Sequence, residues 1–384
     1  MGTILRNLGL WTVLFLGVAA CSGGDSSPDR GADAATAEVD TPADVPEETL
    51  ADAPADEVAD VDDVPGEDGA EEADAPPVVG PCGTGAPEAL MGCVERSRYL
   101  ADLTALEGPR DPGSANWQAA QDLCAARFTA HGYTVERFDY GTGIDVVGVL
   151  PGWDLADERV LVSAHYDGVP DCPDADDNAS GVAGILETAR VLATGSYRRT
   201  LVVACWDEEE DGLIGSDAYA ARADATDENI LVHFVYEMIG FYSDVPDSQT
   251  IPTGLDMLFP EEAAAIEDNQ YRGDFLAAIG DDLARVFLER MSTYGSAVDL
   301  SVVVLEVPSI LKNSPMLADL QRSDHAGFWE LDIPAMMLTD TSEFRNPRYH
   351  CGDGDDTVDS LDHDFATKIV QTTVGAAAAS LELR

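Results

Sequence analysis

Residues 159–210, RVLVSAHYDGVPDCPDADDNASGVAGILETARVLATGSYRRTLVVACWDEEE, place a helical apolar segment between two continuous apolar runs. RVLVSAHYD and TLVVACWD read as strands buried on both faces. ASGVAGILETARVLATG has helical length and composition, with Asn178 and Ser180 as candidate caps. Working outward, TVERFDY and IDVVGVLPG before this unit, and ILVHFVYEMIG, SVVVLEVP and IPAMMLTD after it, are further strand candidates. WQAAQDLCAARFTAHGY, residues 117–133, has helical spacing and stops at Gly132. Apolar runs alternating with helices predict a three-layer α/β sandwich with a mixed, largely parallel central sheet. Residues 81–384 show neither an internal repeat nor a second long linker, so they read as one domain.

The 384 residues carry a formal charge of −52 with 45% apolar content. That is enough apolar surface for a core, and the charge excludes nucleic-acid backbones and anionic lipid as partners held by charge. At the N-terminus Arg6 precedes LGLWTVLFLGVAA and then Cys21. The apolar part is too short to span a bilayer and ends in small residues, as an export signal does. VAAC resembles the lipobox of bacterial lipoproteins, which implies lipidation of Cys21 and, with Ser22 following, placement at the outer membrane or cell surface. Residues 22–80 hold 19 Asp or Glu against the single Arg30, with no aromatic residue, and read as a disordered acidic tether.

In open α/β sheets, ligands sit beyond the carboxyl ends of the strands. Five segments place metal-binding side chains at or after strand candidates. VSAHYDG supplies His165 and Asp167, DADDNASG supplies Asp176 and Asp177, and CWDEEEDGLIGS supplies Glu209 and Glu210. VYEMIG ends its strand on Glu237, and RNPRYHCGDGDDT supplies His350. Imidazole and carboxylate together suit zinc, and a two-metal site needs a bridging carboxylate with a terminal set for each ion.

The order HxD, DDNxSG, EExGLxGS, ExxG, NPxYH resembles the di-zinc aminopeptidase family, which includes bacterial leucyl aminopeptidases and, more distantly, glutaminyl cyclases and glutamate carboxypeptidase. The likeness covers roughly residues 93–380. It implies that His165 and Glu237 hold one zinc, that Glu210 and His350 hold the other, and that Asp177 bridges them. It further implies that Glu209 is the general base and that Asp167 orients the His165 ring. Glu237 stands where the classical members have Asp. Leu320 stands where some members carry a carbonyl-polarising tyrosine, which leaves the oxyanion partner unassigned. Asp324 and His325, in RSDHAGFW, match a motif that lines the substrate pocket. Ligands converging in this way would also bring Cys172 and Cys351 together as a disulfide.

The remaining candidates have plainer readings. Asp207, Glu208 and Asp211 read as solvated charge or as support for the adjacent glutamates. His131 reads as a helix C-terminal residue, His233 as a core histidine, and His363 as a surface residue at a helix start. Cys82 and Cys93 are candidates to pair with each other, while Cys124 and Cys205 are expected to stay free.

The resemblance implies a zinc exopeptidase acting on peptides, most simply an aminopeptidase; the short separation of His165 and Asp177 in the chain leaves no room for an inserted domain there, and a monomer is the default expectation. Three rivals remain. They are a glutaminyl-cyclase-like acyltransferase, a carboxypeptidase using Arg322, Arg345 or Arg348, and a non-catalytic metal-stabilised binding protein.

Overall fold

Eight strands, β1 (Thr134–Asp139), β2 (Ile144–Leu150), β3 (Leu155–His165), β4 (Arg199–Trp206), β5 (Asn229–Glu237), β6 (Phe275–Asp281), β7 (Ser301–Val307) and β8 (Ala335–Thr339), build one sheet. Their spatial order is β1-β2-β4-β3-β5-β8-β6-β7. The pairs β3/β4, β3/β5, β5/β8 and β6/β7 are parallel, while β1/β2, β2/β4 and β6/β8 are antiparallel. The sheet is therefore mixed and largely parallel, as the alternation of runs predicts. This computed structural model describes residues 77–384, all within one compact unit. The export signal, Cys21 and nearly all of the acidic tether lie outside the described residues.

Among the described residues, ten α-helices complete the fold: α1 (Pro87–Met91), α2 (Arg96–Leu106), α3 (Ala115–Ala130), α4 (Gly181–Leu192), α5 (Ile214–Ala225), α6 (Leu255–Leu258), α7 (Pro260–Asp268), α8 (Arg285–Ser296), α9 (Ala326–Glu330) and α10 (His363–Leu381). Side chains alternate across a strand, so each strand feeds two cores. Val160, Val162, Val203 and Phe234 join the core beneath α1–α4, α8 and α10. Leu161, Val202, Ala204 and Trp206 join the core on the other face, with α5, α6 and α9. That alternation makes the three layers.

Ser114 opens α3 by accepting a hydrogen bond from the Trp117 amide at 3.1 Å, and the helix ends at Ala130 before His131 and Gly132 (φ 88°). Gly132 supplies the left-handed residue that closes a helix at low cost. Of the two candidate caps of α4, Asn178 accepts from the Gly181 amide at 3.0 Å, whereas the Ser180 hydroxyl turns back to donate to the Asp176 carbonyl at 2.8 Å.

Two findings differ from the sequence reading. β6, FLAAIGD, is a strand that no β-branched run announces. Pairing with β8 on one side and β7 on the other overrides the weak strand preference of its alanines and glycine. Cys124 and Cys205, expected to be free, form a disulfide, because α3 packs on β1 and β2 and so brings Cys124 beside the end of the adjoining β4, with the Cα atoms 6.6 Å apart. Cys82 and Cys93 are also paired.

Candidate metal centre and its pocket

The parallel strands β3, β4 and β5 end side by side and deliver the acidic and imidazole groups to one edge of the sheet. His165 is the last residue of β3 and Glu237 the last of β5, while Glu209 and Glu210 follow β4. Gly215 lets the following turn close tightly, since a Cβ there would meet Asp145 Oδ1 at 2.3 Å and the Asp207 carbonyl at 2.5 Å. Asp177 lies in a short turn, Ala175–Ser180, between β3 and α4. His350 comes from a turn before α10, in the left-handed conformation (φ 49°), and the adjacent Cys351 is bonded to Cys172.

These residues converge on two groups. Asp177 faces both imidazoles, with Oδ1 3.5 Å from His165 Nε2 and Oδ2 3.2 Å from His350 Nε2. Glu237 Oε2 lies 3.5 Å from His165 Nε2, and Glu210 Oε2 lies 3.1 Å from His350 Nε2. Candidate ligand atoms of His165, Glu209 and Glu237 lie within 4.8 Å of one another, and so do those of Asp177, Glu210 and His350. Four carboxylates thus share one space with two imidazoles, His165 buried at its base and His350 exposed at its edge.

The electrostatics follow from that imbalance. Burial pushes the Glu209 carboxyl well up, opposed by His165 and reinforced by Glu237, Asp324 and Glu210. Burial and the neighbouring Asp177 push Glu210 up to about 7. Burial opposes charge on both imidazoles, yet the carboxylates outweigh it. His165 is raised, and His350 reaches about 10. Asp177 pays the same burial penalty, but the two imidazoles hold its carboxyl below the usual range.

The donor set fits a pair of divalent cations. Both ring nitrogens of His165 and Glu210 Oε1 are buried without a hydrogen-bond partner, the condition of atoms that ligate a metal. Asp167 Oδ1 lies 3.3 Å from His165 Nδ1, close to it but off hydrogen-bond geometry. Nitrogen and oxygen donors with one carboxylate facing both groups suit zinc.

Asp167, singled out in the sequence, and three groups that sequence reading did not single out, Ser323, Asp356 and Arg110, frame the ligands. Asp167 Oδ2 accepts from the Glu210 amide at 3.0 Å, tying the end of β3 to the turn after β4. Ser323 donates to Glu237 Oε2 at 2.6 Å. Asp356 accepts from the Asp176 and Asp177 amides at 2.7 and 3.1 Å. Arg110, fully buried, donates to the main-chain carbonyls of Tyr166, Leu106, Asp174 and Asp177 at 2.8–3.2 Å, and to those of Gly108 and Pro173 at 3.3 Å. Only a local signal, the arginine in GPRDPG ahead of a helix, precedes Arg110 in the sequence, and it carries no hint of this role.

A cavity open to solvent adjoins the cluster, and Asp177, Glu209, Glu210, Glu237 and Tyr349 are among its lining residues. Tyr349 stacks on His350 with ring centroids 3.8 Å apart, and its phenolic oxygen accepts from Arg322 Nη2 at 3.0 Å. Leu320 and Arg322 also line the cavity.

Several expectations need correction. Asp324 and His325 do not line this cavity. His325 is buried against Trp329 with Nε2 2.8 Å from the Leu320 carbonyl, and Asp324 is buried, pushed up to about 7 by desolvation against the pull of His165. The chain turns them inward because α9 packs on β8. Asp207 and Glu208 are not solvated. Asp207 accepts from Trp117 Nε1 at 2.7 Å and from the Ile144 amide at 3.0 Å, and Glu208 accepts from Thr142 at 2.6 Å. Of the three, only Asp211 is exposed. His131 follows the end of α3, His363 opens α10, and His233 is buried on β5 with Nε2 2.6 Å from Ser163 Oγ. Of the three candidate arginines, Arg322 is paired with Glu343, Arg345 is buried and donates to Gln249, and Arg348 lies outside the cavity lining.

Fold and donor set together describe an α/β sandwich with a candidate metal centre at the carboxyl ends of its parallel strands. Residues 145–282 match the model of Peptidase family M28, a span that contains every clustered residue except His350. The chain is 32% identical over 228 residues to the uncharacterized protein YfbL of Escherichia coli, covering 56% of this chain and 65% of that protein. It is 30% identical over 169 residues to leucine aminopeptidase 1 of Penicillium rubens, covering 40% of this chain and 42% of that one. The chain thus spans less than two thirds of the length of either relative. The LapA aminopeptidase of Legionella pneumophila shares the fold, with a TM-score of 0.58 at 17% identity over 77% of this chain and 74% of that one.

Proposed function

We propose that this chain is a zinc-dependent exopeptidase, an aminopeptidase that removes N-terminal residues from peptides at a two-zinc site. The observation that carries the reading is the Asp177 carboxylate, one oxygen toward His165 and the other toward His350, which is the disposition of a bridging ligand. His165 and Glu237 would hold one ion, Glu210 and His350 the other. Zinc in such a site supplies Lewis acidity and lowers the pKa of water to near neutrality.

The chain's own groups do the rest. Glu209, half-buried beside His165 and Glu237, takes a proton from the attacking water and passes it to the leaving amine. Asp167 fixes the His165 ring and the Glu210 main chain together. Tyr349 fills the role left open at Leu320. Because Arg322 already donates to its oxygen, its own hydrogen is free to donate to the carbonyl oxygen of the scissile bond. Among the described residues, the pairing of Arg322 with Glu343 leaves no free cation in the cavity lining for a C-terminal carboxylate, which favours the aminopeptidase reading over the carboxypeptidase one.

A panel of free and N-blocked peptides tests the reading. Release of N-terminal residues from free peptides only is expected, and cleavage of blocked peptides alone would overturn it. Placement at the cell envelope through a lipidated Cys21 rests on the sequence motif, and Cys21→Ser should move the protein from the membrane to the soluble fraction. Among the described residues no helix is long and apolar enough to cross a membrane.

A further inference from the structure

The register of the sheet sets out a row of side chains leading away from the metal cluster. Glu237 on β5 pairs with Thr339 on β8, Thr339 with Ala277 on β6, and Ala277 with Val303 on β7. All four line the same cavity. Three interstrand steps make this row about 14 Å long. Along it the lining passes from carboxylate to small polar, then small apolar, then branched apolar. A second row, Met337, Ile279 and Leu305, continues the apolar floor deeper, and Leu255 and Phe259 of the α6–α7 segment stand among the remaining walls.

A leucine side chain ends within about 4 Å of its Cα at roughly 1.5 Å per bond. It would occupy only the first step of this row. The small side chains at Thr339 and Ala277 keep the floor low where a longer group would pass. Among the described residues, the sheet positions beyond Glu237 carry no charged side chain, so the floor offers a hydrocarbon chain an apolar surface, while Glu262, Asp319, Arg322 and Glu343 line other walls of the cavity.

We infer that the acyl half of the scissile amide carries a long linear apolar chain that runs from the metal cluster across Ala277 to Val303. The inference rests on the proposed amide hydrolysis at this site. Such a chain has two chemical sources: the side chain of a lipophilic N-terminal amino acid with a free α-amine, or a fatty-acyl group that caps the nitrogen.

The test compares zinc-loaded protein on the anilides of alanine, leucine and 2-aminodecanoic acid, and on decanoyl anilide, which lacks the amine. A kcat/KM at least tenfold higher for either ten-carbon substrate than for leucyl anilide is expected, and the preferred one of the two identifies the source. A maximum at leucine with a fall for both longer substrates would overturn the inference. Cleavage of decanoyl anilide with none of the free-amine substrates would overturn the aminopeptidase reading and leave this one standing. If no anilide is cleaved, fluorescence of dansylaminoundecanoic acid reads the cavity directly. Binding to the wild type that weakens at least tenfold in Ala277→Trp, or in Val303→Trp should the first variant not fold, supports the inference. Absence of binding to the wild type would overturn it.

Discussion

Asp177 and His350 meet at 3.2 Å although they lie far apart in the chain, and the Cys172–Cys351 bridge closes the same gap one residue beyond His350. Each comes from a loop at the carboxyl edge of the sheet. The second oxygen of Asp177 faces His165, so one carboxylate links the two halves of the cluster.

Asp177→Asn keeps the shape and removes the charge. Loss of a group that merely orients a ligand weakens metal binding by about 10–100-fold, so loss of this carboxylate is expected to exceed about 100-fold. Elemental analysis after dialysis against a weak chelator should give two zinc ions per wild-type chain and fewer than one in the variant. An unchanged zinc content would remove Asp177 from the bridging role.

Arg110 ties six main-chain carbonyls around the loop that carries Asp177. Arg110→Met leaves those buried main-chain acceptors without their donor, at a cost of about 1–3 kcal/mol. Arg110→Lys restores charge but not the planar fork. Thermal unfolding should show the Lys variant recovering part of the stability, while competition with a zinc indicator shows both variants with weakened zinc affinity. Wild-type affinity in the Lys variant would limit Arg110 to a role in stability.

Tyr349→Phe removes one hydroxyl and keeps the ring stacked on His350. A lost oxyanion donor typically costs about 100–1,000-fold in kcat. That loss, with KM and zinc content nearly unchanged, is expected in steady-state assays on aminoacyl anilides. A fall in KM alone, or no change, would assign the carbonyl donor elsewhere.

Much of this arrangement is legible before folding. RVLVSAHYD, TLVVACWD and ILVHFVYE are dense in β-branched and aromatic residues and stop at polar groups, so both the strands and the location of the site can be read from them. FLAAIGD cannot be read that way. Its composition suits a helix as well as a strand, and only its neighbours in the sheet decide between them. Burial of Asp207 and Glu208 is equally hidden, because a run of acids looks the same whether water or Trp117 and Thr142 supply the donors. The Cys124–Cys205 bridge depends on how α3 lies on β1 and β2 beside β4, which no local pattern encodes. Asp324 and His325 match a motif in type but not in direction, since the packing of α9 turns them away from the cavity.

Burial lowers the His325 pKa to about 4, and burial together with His325 lowers that of His233. Both are neutral in the fold, whereas the unfolded chain takes up their protons near pH 6.5. The unfolded state therefore binds more protons between about pH 6.5 and 4, and stability falls as pH drops through that window. For His325 the full loss is about 3 kcal/mol, of which roughly 1 kcal/mol is reached by about pH 5.5. Urea unfolding of wild type and His325→Gln at about pH 7.5 and 5.5 should show the smaller decrease in the variant. Equal decreases would mean that His325 titrates normally in the fold.

The proton-transfer role of Glu209 is the centre of the account, and it is tested by assaying wild type and Glu209→Gln on aminoacyl anilides at matched zinc content. The account predicts a kcat lower by about 100- to 10,000-fold with zinc retained. Equal rates for the two proteins would contradict it.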